Sequence, residues 1–344
     1  MTDFGAAYTA EWHLYRVHRQ TWADEAEVGR LVSVSLNRDS EGDAPEIDSG
    51  TLGIEGPAGF EWESGYYRLA MRAIQRGVER VDVMTLLCES DGGTVDGGVD
   101  LKSVKGRSVL HPAATTYVTL GDYAAAGEDG AQKAARMLRA AIAAPVSVEG
   151  SFALRDAYVF SPNASVLSSV WALLKAANFC MWPDGRGVVH IAPLPTQPVL
   201  TLDRANARLV DPDVSHSLDI SNMPNRYTAD DDGVRVTVSN ETGSRASYDQ
   251  RGYWVDAGTD SPAPLDGESL DAYAARMLKE KSIAKDSRTY GRRFWPDIHP
   301  FMVVQGSMPS VKLDGLLRVE SQAIDCSHGI QVTETAYKEV QMWR

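Results

Sequence analysis

Apolar and polar residues alternate over long stretches in the first and last thirds of the chain, and this two-residue period predicts β-strands. In "RLVSVSLNRD" the side chains of Val32, Val34 and Leu36 fall on one face. The valines of residues 234–238 alternate with polar residues in the same way. Since alternation marks strands with one buried face, the pattern predicts a fold built largely from antiparallel sheets.

The segment "SGYYRLAMRAIQRG" alternates as well, and we predict that it forms a hairpin with the following "RVDVMTLLC". One face is apolar and the other carries two arginines: Tyr67, Leu69, Met71 and Ala73 against Arg68 and Arg72. A helix is the alternative, because several of these residues are good helix formers. The tyrosine pair at its start favours the strand. A strand is also predicted for "EWHLYRVHRQTW", with a turn at "ADEAEVG".

The glycine-rich segment "SDGGTVDGGVD" carries Asp91, Asp96 and Asp100 and is the first candidate for a calcium site. It lacks the nonapeptide pattern of calcium-binding repeats, and no phosphate-binding Lys-Ser/Thr pair follows its glycines. We therefore interpret it as a flexible surface loop that supplies turns. The strands of "RSVLHPAATTYVTL" are then expected to close this first unit, which spans residues 1–120.

Residues 121–198 change to a helical period and predict a small α+β domain. "DGAQKAARMLRAAIAA" has an apolar helical face that ends before Pro145, formed by Ala134, Met137, Leu138, Ala141 and Ile142. "SPNASVLSSVWALLKAANF" predicts a second helix, with Asn163 or Ser165 as its cap. "FCMWPDGRGVVHIAPLP" predicts a hairpin whose turn is formed by residues 183–187.

Residues 199–344 return to strands, with a helical insert predicted around 266–290. The helix "SLDAYAARMLKEKSIAKDS" follows a proline-bearing linker and turns an apolar face inward, formed by Leu270, Tyr273, Ala274 and Met277. Several antiparallel strands follow, with turns predicted at Asp314-Gly315 and at residues 327–329. The predicted class is mainly β with α+β elements. The first and last parts are candidates for related barrels, although the sequence shows no repeat.

The composition is that of a folded protein of two or three domains, with 344 residues, 43% hydrophobic and 24% charged. The net charge of −13 argues against tight nucleic-acid binding, because that affinity comes from Lys and Arg neutralising phosphates. An acidic surface would still let DNA pass without holding it. No export signal or membrane-spanning run is visible, so we expect synthesis in a cytoplasm and no stable membrane insertion.

Asp230, Asp231 and Asp232 stand before Gly233 between two alternating stretches, and they raise the question of a metal loop. A calcium loop of the EF-hand type needs oxygen ligands at alternate positions and a closing glutamate. Here valines occupy the positions that follow, so we interpret the aspartates as the tip of a hairpin. A bound ion in the aspartate-rich segments stays open at this point.

The histidines and cysteines give no pattern typical of a metal site. His13 and His18 are predicted to lie on opposite faces of a strand. The other five histidines are scattered singly: His111, His190, His216, His299 and His328. Cys88, Cys180 and Cys326 are too few and too far apart for a disulfide framework and are predicted to be buried thiols. We expect no metal and no cofactor.

No convincing catalytic site is visible, and we predict that the protein is not an enzyme. Ser327 and His328 are adjacent in a turn and do not match the Ser–His arrangement of a hydrolase. Glu61 and Glu63 flank Trp62 and look like the carboxylate pair of a glycosidase. Those enzymes use carboxylates that converge from separate elements, whereas two acids on one loop are usually solvated.

Several local patterns resemble the tail hub proteins of long-tailed bacteriophages, a baseplate-hub family that also underlies the spike complexes of contractile injection systems. In the last third these are "DISNMPNRYTA", "ASYDQRGYWV", "SLDAYAARMLKEKS", "FWPDIHPFMVVQG", "DGLLRVESQAID" and "GIQVTETAYKE". In the middle the matching stretch is "NFCMWPDGRGVVHIAP". "HPFMVVQG" departs from the pattern, because many relatives have Gly-Asp before this strand. The resemblance supplies no catalytic residues.

The resemblance implies an N-terminal β-barrel domain at 1–120, a small α+β domain at 121–198, and a related C-terminal β-barrel domain at 199–344. It implies a homotrimer whose six barrels form a pseudo-sixfold ring at the virion tail tip, assembled in the host cytoplasm. Its expected partners are the distal tail or tail tube protein, the tape-measure protein, and tip or fibre proteins. DNA would pass through the ring without specific binding.

Two alternatives belong to other functional classes. One is a tip-borne hydrolase of cell-wall sugar or peptide, which would depend on Glu61 and Glu63. The other is a host-glycan-binding tail protein, which the 8 tryptophans and 13 tyrosines of the chain would suit. Turnover of peptidoglycan would favour the first alternative, and glycan binding by the isolated chain the second.

Overall fold

A computed structural model describes residues 8–28, 30–57, 59–75, 77–96, 99–161, 163–203, 210–260, 262, 264, 268–326 and 331–343. The fold is 51% strand and 15% helix, which confirms the mainly β class. The chain forms two compact units. The larger one consists of residues 1–214 and 290–335, and the smaller one of residues 215–289 and 336–344. The three-domain division at 120 and 198 stays a prediction.

The first third of the chain is formed by seven strands. They are β1 (Thr9–Val17), β2 (Asp24–Glu27), β3 (Arg30–Asp39), β4 (Ile47–Pro57), β5 (Gly65–Ile74), β6 (Val78–Asp96) and β7 (Val99–Ser108). They pair antiparallel in the order β2-β1-β5-β6-β7-β4-β3. The predicted β5–β6 hairpin is therefore confirmed, and the helix alternative for this segment is wrong.

The middle of the chain contains three helices and five short strands. They are α1 (His111–Thr115), β8 (Tyr123–Ala124), α2 (Gly130–Ala141), β9 (Val146–Val148), β10 (Tyr158–Val159), α3 (Val166–Lys175), β11 (Phe179–Pro183) and β12 (Val189–Pro193). Strands β11, β12 and β9 form one small sheet, and β8 pairs with β10. The two predicted helices and the β11–β12 hairpin are confirmed. Ser165 caps α3, because its side chain accepts a hydrogen bond from the Ser168 amide at 3.1 Å.

The described residues from 198 onward form two α-helices and nine strands. They are β13 (Pro198–Leu202), β14 (Val210–Leu218), β15 (Arg226–Asp231), β16 (Val234–Ser239), α4 (Tyr248–Arg251), β17 (Asp256–Thr259), α5 (Leu270–Lys281), β18 (Ile283–Arg293), β19 (Val303–Met308), β20 (Leu313–Asp325) and β21 (Gln331–Gln341). Strand β20 joins the sheet of the first third by pairing antiparallel with β3. Strand β20 also pairs with β19, which pairs with β13, and the sheet order continues from β20 through β21, β18 and β14.

The core of the larger unit has two parts. Alternate residues of β5, including Leu69, Met71 and Ala73, are buried under the long sheet together with Leu36. A second cluster lies around α2 and α3, where Leu138 and Trp171 are buried. The predicted apolar faces of these elements therefore form the core.

The smaller unit is a three-stranded sheet in the order β16-β15-β17, on which α5 packs. Tyr273, Ala274 and Leu278 of α5 are buried against Tyr227 and Ala229 of β15. This confirms a helix in the predicted insert and its inward face, but the helix ends at Lys281. The predicted extension to residue 287 is wrong, because strand β18 begins at Ile283. The linker before α5 lies largely outside the described residues.

Four local predictions about the strands and turns are wrong. The segment "ADEAEVG" contains strand β2, because the chain reverses earlier, between β1 and Asp24. The glycine-rich segment extends β6 and β7 as paired strands up to Asp96 and from Val99, so it is not a loop. A short helix, α1, stands where a closing strand was expected.

The fourth wrong prediction is the turn at Asp314-Gly315, which lies inside β20 opposite Gly306 and Ser307. The chain turns before it, at Pro309–Val311, followed by Lys312 with a left-handed φ of 60°. The predicted turn at residues 327–329 lies outside the described residues.

A β-bulge changes one predicted strand face. The register of β3 on β4 shifts between Leu31 and Ser33, so that Val32 is the extra residue. Val32 is consequently 49% exposed, whereas Val34 and Leu36 are buried as predicted. An inserted residue in one strand reverses the face on which the side chains before it lie, and alternation alone does not reveal this.

Candidate functional site

The Asp230–Asp232 segment is a hairpin tip, which confirms the interpretation from the sequence. Asp231 pairs with Val234 across the turn, and both Asp232 and Gly233 have a positive φ, of 47° and 89°. The Asp230 carboxylate accepts hydrogen bonds from the Gly233 amide at 3.1 Å and from Arg235 Nε at 3.2 Å. Its two oxygens therefore stabilise the turn itself.

The other carboxylate candidates lie on strands β6 and β7 and on the segment before β5. Asp100 is buried and accepts a hydrogen bond from the Gly59 amide at 3.0 Å. Asp91 and Asp96 lie on β6, and their side chains are outside the described set. Glu61 and Glu63 are both exposed, and Glu63 forms an ion pair with Arg16. A glycosidase acid needs an apolar pocket, and these two glutamates lie on an open surface.

Each described histidine has its own local surroundings. His13 hydrogen-bonds Glu27 at 2.7 Å, and His18 Nδ1 accepts from the amides of its own turn. His111 contacts Glu46, His190 contacts Asp184, and His216 contacts Asp286, at 2.9, 3.2 and 2.6 Å. His299 is buried. Within the described ranges, no group of three His, Cys, Asp or Glu side chains is arranged to hold a metal ion.

The three cysteines are buried free thiols, as predicted. Burial raises the pKa of Cys180 and Cys326 to about 12 and that of Cys88 further still. Thiols in such surroundings stay protonated at neutral pH and are poor nucleophiles.

A groove of about 630 Å³ opens beside the end of β1. Its floor is apolar, with Tyr66 and Leu87, and its rim carries Arg16 and Glu25 among other polar residues. Arg16 is already engaged by Glu63 and lies 3.5 Å from Glu25. Two of the charged lining residues, Arg16 and Glu25, are therefore paired with each other.

The most unusual chemistry of the chain is a set of buried polar side chains in the larger unit, which we call the buried junction. It consists of Arg38 on β3, Asp48 on β4, Asp184 in the β11–β12 turn, Arg292 on β18, His299, Gln322 on β20 and Glu334 on β21. All except Asp184 are buried. Sequence patterns did not reveal this set, since each residue stands alone in its own strand or loop.

Glu334 is the fully paired acid of the buried junction. Its carboxylate accepts hydrogen bonds from Tyr290 Oη at 2.6 Å, Gln322 Nε2 at 2.7 Å, and Arg292 Nε and Nη2 at 3.0 and 2.5 Å. Burial and the neighbouring Glu334 charge raise the pKa of Tyr290 well above its usual value, so its hydroxyl stays a donor. Gln322 also donates to the Ile298 carbonyl at 3.1 Å, which ties three strands and one loop together.

Arg38 reaches the β5–β6 hairpin through a bulge. Val83 is the extra residue where the β5–β6 register shifts, so its carbonyl is not used in that ladder. Arg38 Nη2 donates to this carbonyl at 2.6 Å. A local irregularity of β6 thus supplies the acceptor for a guanidinium that is 2% exposed.

The β11–β12 turn docks against the long sheet next to the buried junction. Thr85 Oγ1 donates to the Gly185 carbonyl at 3.0 Å, and Trp22 Nε1 donates to the Arg186 carbonyl at 2.8 Å. Arg68, predicted to face away from the apolar side of β5, is buried and donates to the same Arg186 carbonyl at 3.1 Å. The sequence predicted the turn but not this contact.

The segment between β3 and β4 is held by α3. Trp171 Nε1 donates to the Pro45 carbonyl at 3.0 Å, and Lys175 Nζ donates to the carbonyls of Gly42 and Asp43 at 2.9 Å. Ile47 ends this segment with a φ of 72°, which is rare for a β-branched residue. The α+β part therefore braces the segment that leads into Asp48.

No family model matches the sequence. No curated protein matches it either. No helix in the described part of the chain is long and apolar enough to cross a membrane. Comparison of the three-dimensional structure is what connects this chain to known proteins.

Two solved structures match over nearly their whole lengths. A tail protein from Neisseria meningitidis is 15% identical with a TM-score of 0.64, over 95% of this chain and 96% of that one. A 43 kDa prophage tail protein from Shewanella oneidensis is 12% identical with a TM-score of 0.66, over 98% and 100%. A chain of the Francisella PdpA–VgrG complex is 7% identical with a TM-score of 0.57, over 96% of this chain and 58% of that one. The chain therefore has the fold of phage and prophage tail proteins, as its resemblance to tail hub proteins implied.

Proposed function

We propose that the protein is a structural component of a phage tail, the hub that joins the tail tube or distal tail ring to the tip or fibres. The observation that carries this proposal is the match to two tail proteins over nearly the full length of both chains. A hub is a scaffold, so the proposal also accounts for a chain whose buried polar groups serve packing. We propose accordingly that it is not an enzyme.

We propose that two related barrels in each chain let a homotrimer form a pseudo-sixfold ring. The β1–β7 sheet supports the first barrel, because β3 at one end of its strand order comes close to β1, the strand next to the other end. Strands β13, β14, β18, β19, β20 and β21 are the candidates for the second. Closed sheets remove exposed strand edges, and a ring around a channel has closed cyclic symmetry.

The acidic net charge of −13 supports a channel through which DNA passes without being held. The ring would contact the distal tail or tail tube protein on one side, and tip or fibre proteins on the other. The tape-measure protein would end at the ring. We place the protein at the virion tail tip, after assembly in the host cytoplasm.

The copy number in intact particles tests the proposal. Mass measurement of purified tail tips should give three copies per tail, that is three times the 37.5 kDa of one chain. Imaging of the same tips should show threefold symmetry with six similar densities around the axis. One copy per tail, or a sixfold ring of six chains, would rule out the trimeric hub.

The hydrolase and glycan-binding alternatives are tested on the same preparation. We expect no release of sugar or peptide from peptidoglycan, and no signal on a glycan array. Turnover that disappears in Glu63→Gln but persists in Glu55→Gln would establish the hydrolase instead. Glu55 is the matched control, because it also forms an exposed ion pair on the same unit.

A further inference from the structure

Asp48 is a fully buried carboxylate whose pairing is incomplete. It stands directly opposite Arg38 in the β3–β4 register, and both side chains are about 1% exposed. The closest approach is 3.5 Å, between Arg38 Nε and Asp48 Oδ1, and it does not have hydrogen-bond geometry. Among the described residues, neither oxygen of Asp48 has a hydrogen-bond donor. An ionised carboxylate in such a place is unfavourable.

Glu334 shows by contrast what a stable buried carboxylate needs in the same unit. It has four donor atoms from three side chains, including two of a guanidinium. Asp48 has one cation, 3.5 Å away and outside hydrogen-bond geometry. Since both are buried to a similar degree, the difference in donors makes Asp48 the acid that gains more from taking up a proton.

Arg38 also has hydrogen-bond acceptors other than Asp48. Its Nη2 donates to the Val83 carbonyl at 2.6 Å, and its Nη1 lies 3.5 Å from Gln322 Oε1. Both acceptors are neutral. A proton on Asp48 would therefore leave these contacts of the guanidinium in place.

The charged groups around Asp48 shift its pKa in opposite directions. Burial raises the pKa of Asp48 to about 7; Arg38 opposes this rise and Asp184 adds to it. Besides burial, Arg292 lowers the pKa of Arg38, and Arg38 and Arg292 both lower the pKa of His299. His190 hydrogen-bonds Asp184, so it too belongs to the set.

The backbone next to Asp48 is strained. Ile47 is buried and has a φ of 72°, a conformation that costs a β-branched residue free energy and persists only where surrounding contacts hold it. Those contacts are the hydrogen bonds from Trp171 and Lys175 to residues 42–45. Ionisation of Asp48 would therefore place a negative charge directly next to this strained segment.

We propose that Asp48 gains and loses a proton within the folded protein, and that losing it loosens residues 40–48 from the buried junction. This change in protonation would make the contact between β3, β4 and α3 tighter in acid and looser above neutral pH. It acts inside one chain, so it does not require that the protein assemble into a ring.

The sign of the effect follows from linkage. The folded state holds the Asp48 proton up to about pH 7, whereas the unfolded chain releases it near pH 4. The stability contributed by Asp48 is therefore fully present below about pH 4 and is lost as pH rises to 7. Burial lowers the pKa of His299, which acts in the opposite direction below about pH 6.5. Comparison of a variant with the wild type is needed to isolate Asp48.

The test uses Asp48→Asn as an uncharged mimic of the protonated acid and Asp43→Asn as the control. Asp43 is an exposed acid of the same segment. Thermal midpoints are measured from pH 5 to pH 8. The midpoint of Asp48→Asn relative to the wild type should rise by several degrees over this range, while that of Asp43→Asn stays level. Equal slopes for Asp48→Asn and the wild type would overturn the proposal.

A second measurement covers the case in which Asp48→Asn fails to fold. The ¹³C shift of the Asp48 carboxyl in the wild-type protein should titrate with a midpoint near pH 7. Hydrogen exchange of amides 47–50, corrected for its intrinsic pH dependence, should become faster above that midpoint. A carboxyl midpoint near pH 4, or amide protection that does not change with pH, would show that Asp48 is a static ion-pair partner.

Discussion

At the residue scale, Glu334 shows how a buried ion pair differs from an exposed one. It is fully buried and carries the negative charge that faces Arg292, with an Nη2–Oε2 distance of 2.5 Å. Removing one partner of a buried pair leaves the other charge uncompensated, because water cannot reach it. The local charge pattern of β21 gives no hint of this, since its partners come from β18 and β20.

We predict that Glu334→Gln destabilises the protein by about 3–5 kcal/mol, the usual cost of breaking a buried ion pair. Glu55→Gln is the matched control, because Glu55 pairs with an Arg30 side chain that is 78% exposed. It should cost about 1 kcal/mol or less. Urea unfolding of both variants measures the difference. Equal midpoints would mean that the Glu334 carboxylate contributes no more than a surface charge.

At the scale of elements, the β11–β12 hairpin shows how a turn becomes a contact. Its glycines were predicted as turn residues, but the structure gives Gly185 a second requirement. A Cβ atom there would lie 1.8 Å from the Asp82 carbonyl oxygen, which is part of the backbone and cannot move aside easily. The glycine therefore allows the turn to approach β6.

We predict that Gly185→Ala costs about 1–3 kcal/mol, the range for overpacking, because the turn must move away from β6. Gly77→Ala is the control, since a Cβ at Gly77 meets nothing within 4 Å. Thermal unfolding and Trp22 fluorescence should both change in Gly185→Ala only. If Gly185→Ala is as stable as the control, the turn does not pack against β6 in solution.

The elements also show which sequence signals are reliable. The helical faces of α2, α3 and α5 were found because a consistent period over the whole helix outweighs any single residue. The glycine-rich part of β6 and β7 was missed, because a long paired partner overrides the local preference of glycine for turns. The bulges at Val32 and Val83 left no trace in the alternation.

At the scale of the whole molecule, the chain crosses from the larger unit to the smaller one within β14, returns within β18 and crosses again within β21. The smaller unit has its own core, in which Leu278 is fully buried. Its stability should therefore respond to changes in that core more than the stability of the larger unit does.

We predict that Leu278→Ala costs about 2–5 kcal/mol through the cavity it leaves. Hydrogen exchange should show faster opening of β15, β16 and α5, while amides of β5 keep their protection. Leu69→Ala, in the core of the larger unit, is the counterpart and should affect β5 first. Identical exchange maps for the two variants would show that the two units open as one.

The sequence by itself determined the mainly β class, the helices of the middle part, the helical insert and the Asp230–Asp232 hairpin. Each of these depends on contacts within a few residues, which periodicity and turn chemistry report directly. Only the tertiary structure decided where the buried junction lies, that Arg68 is buried, and that Asp48 faces Arg38 with no donor for its oxygens. Those outcomes depend on strands distant in sequence and on single-residue bulges, and the free energy of a buried charge is set by the groups that meet it after folding.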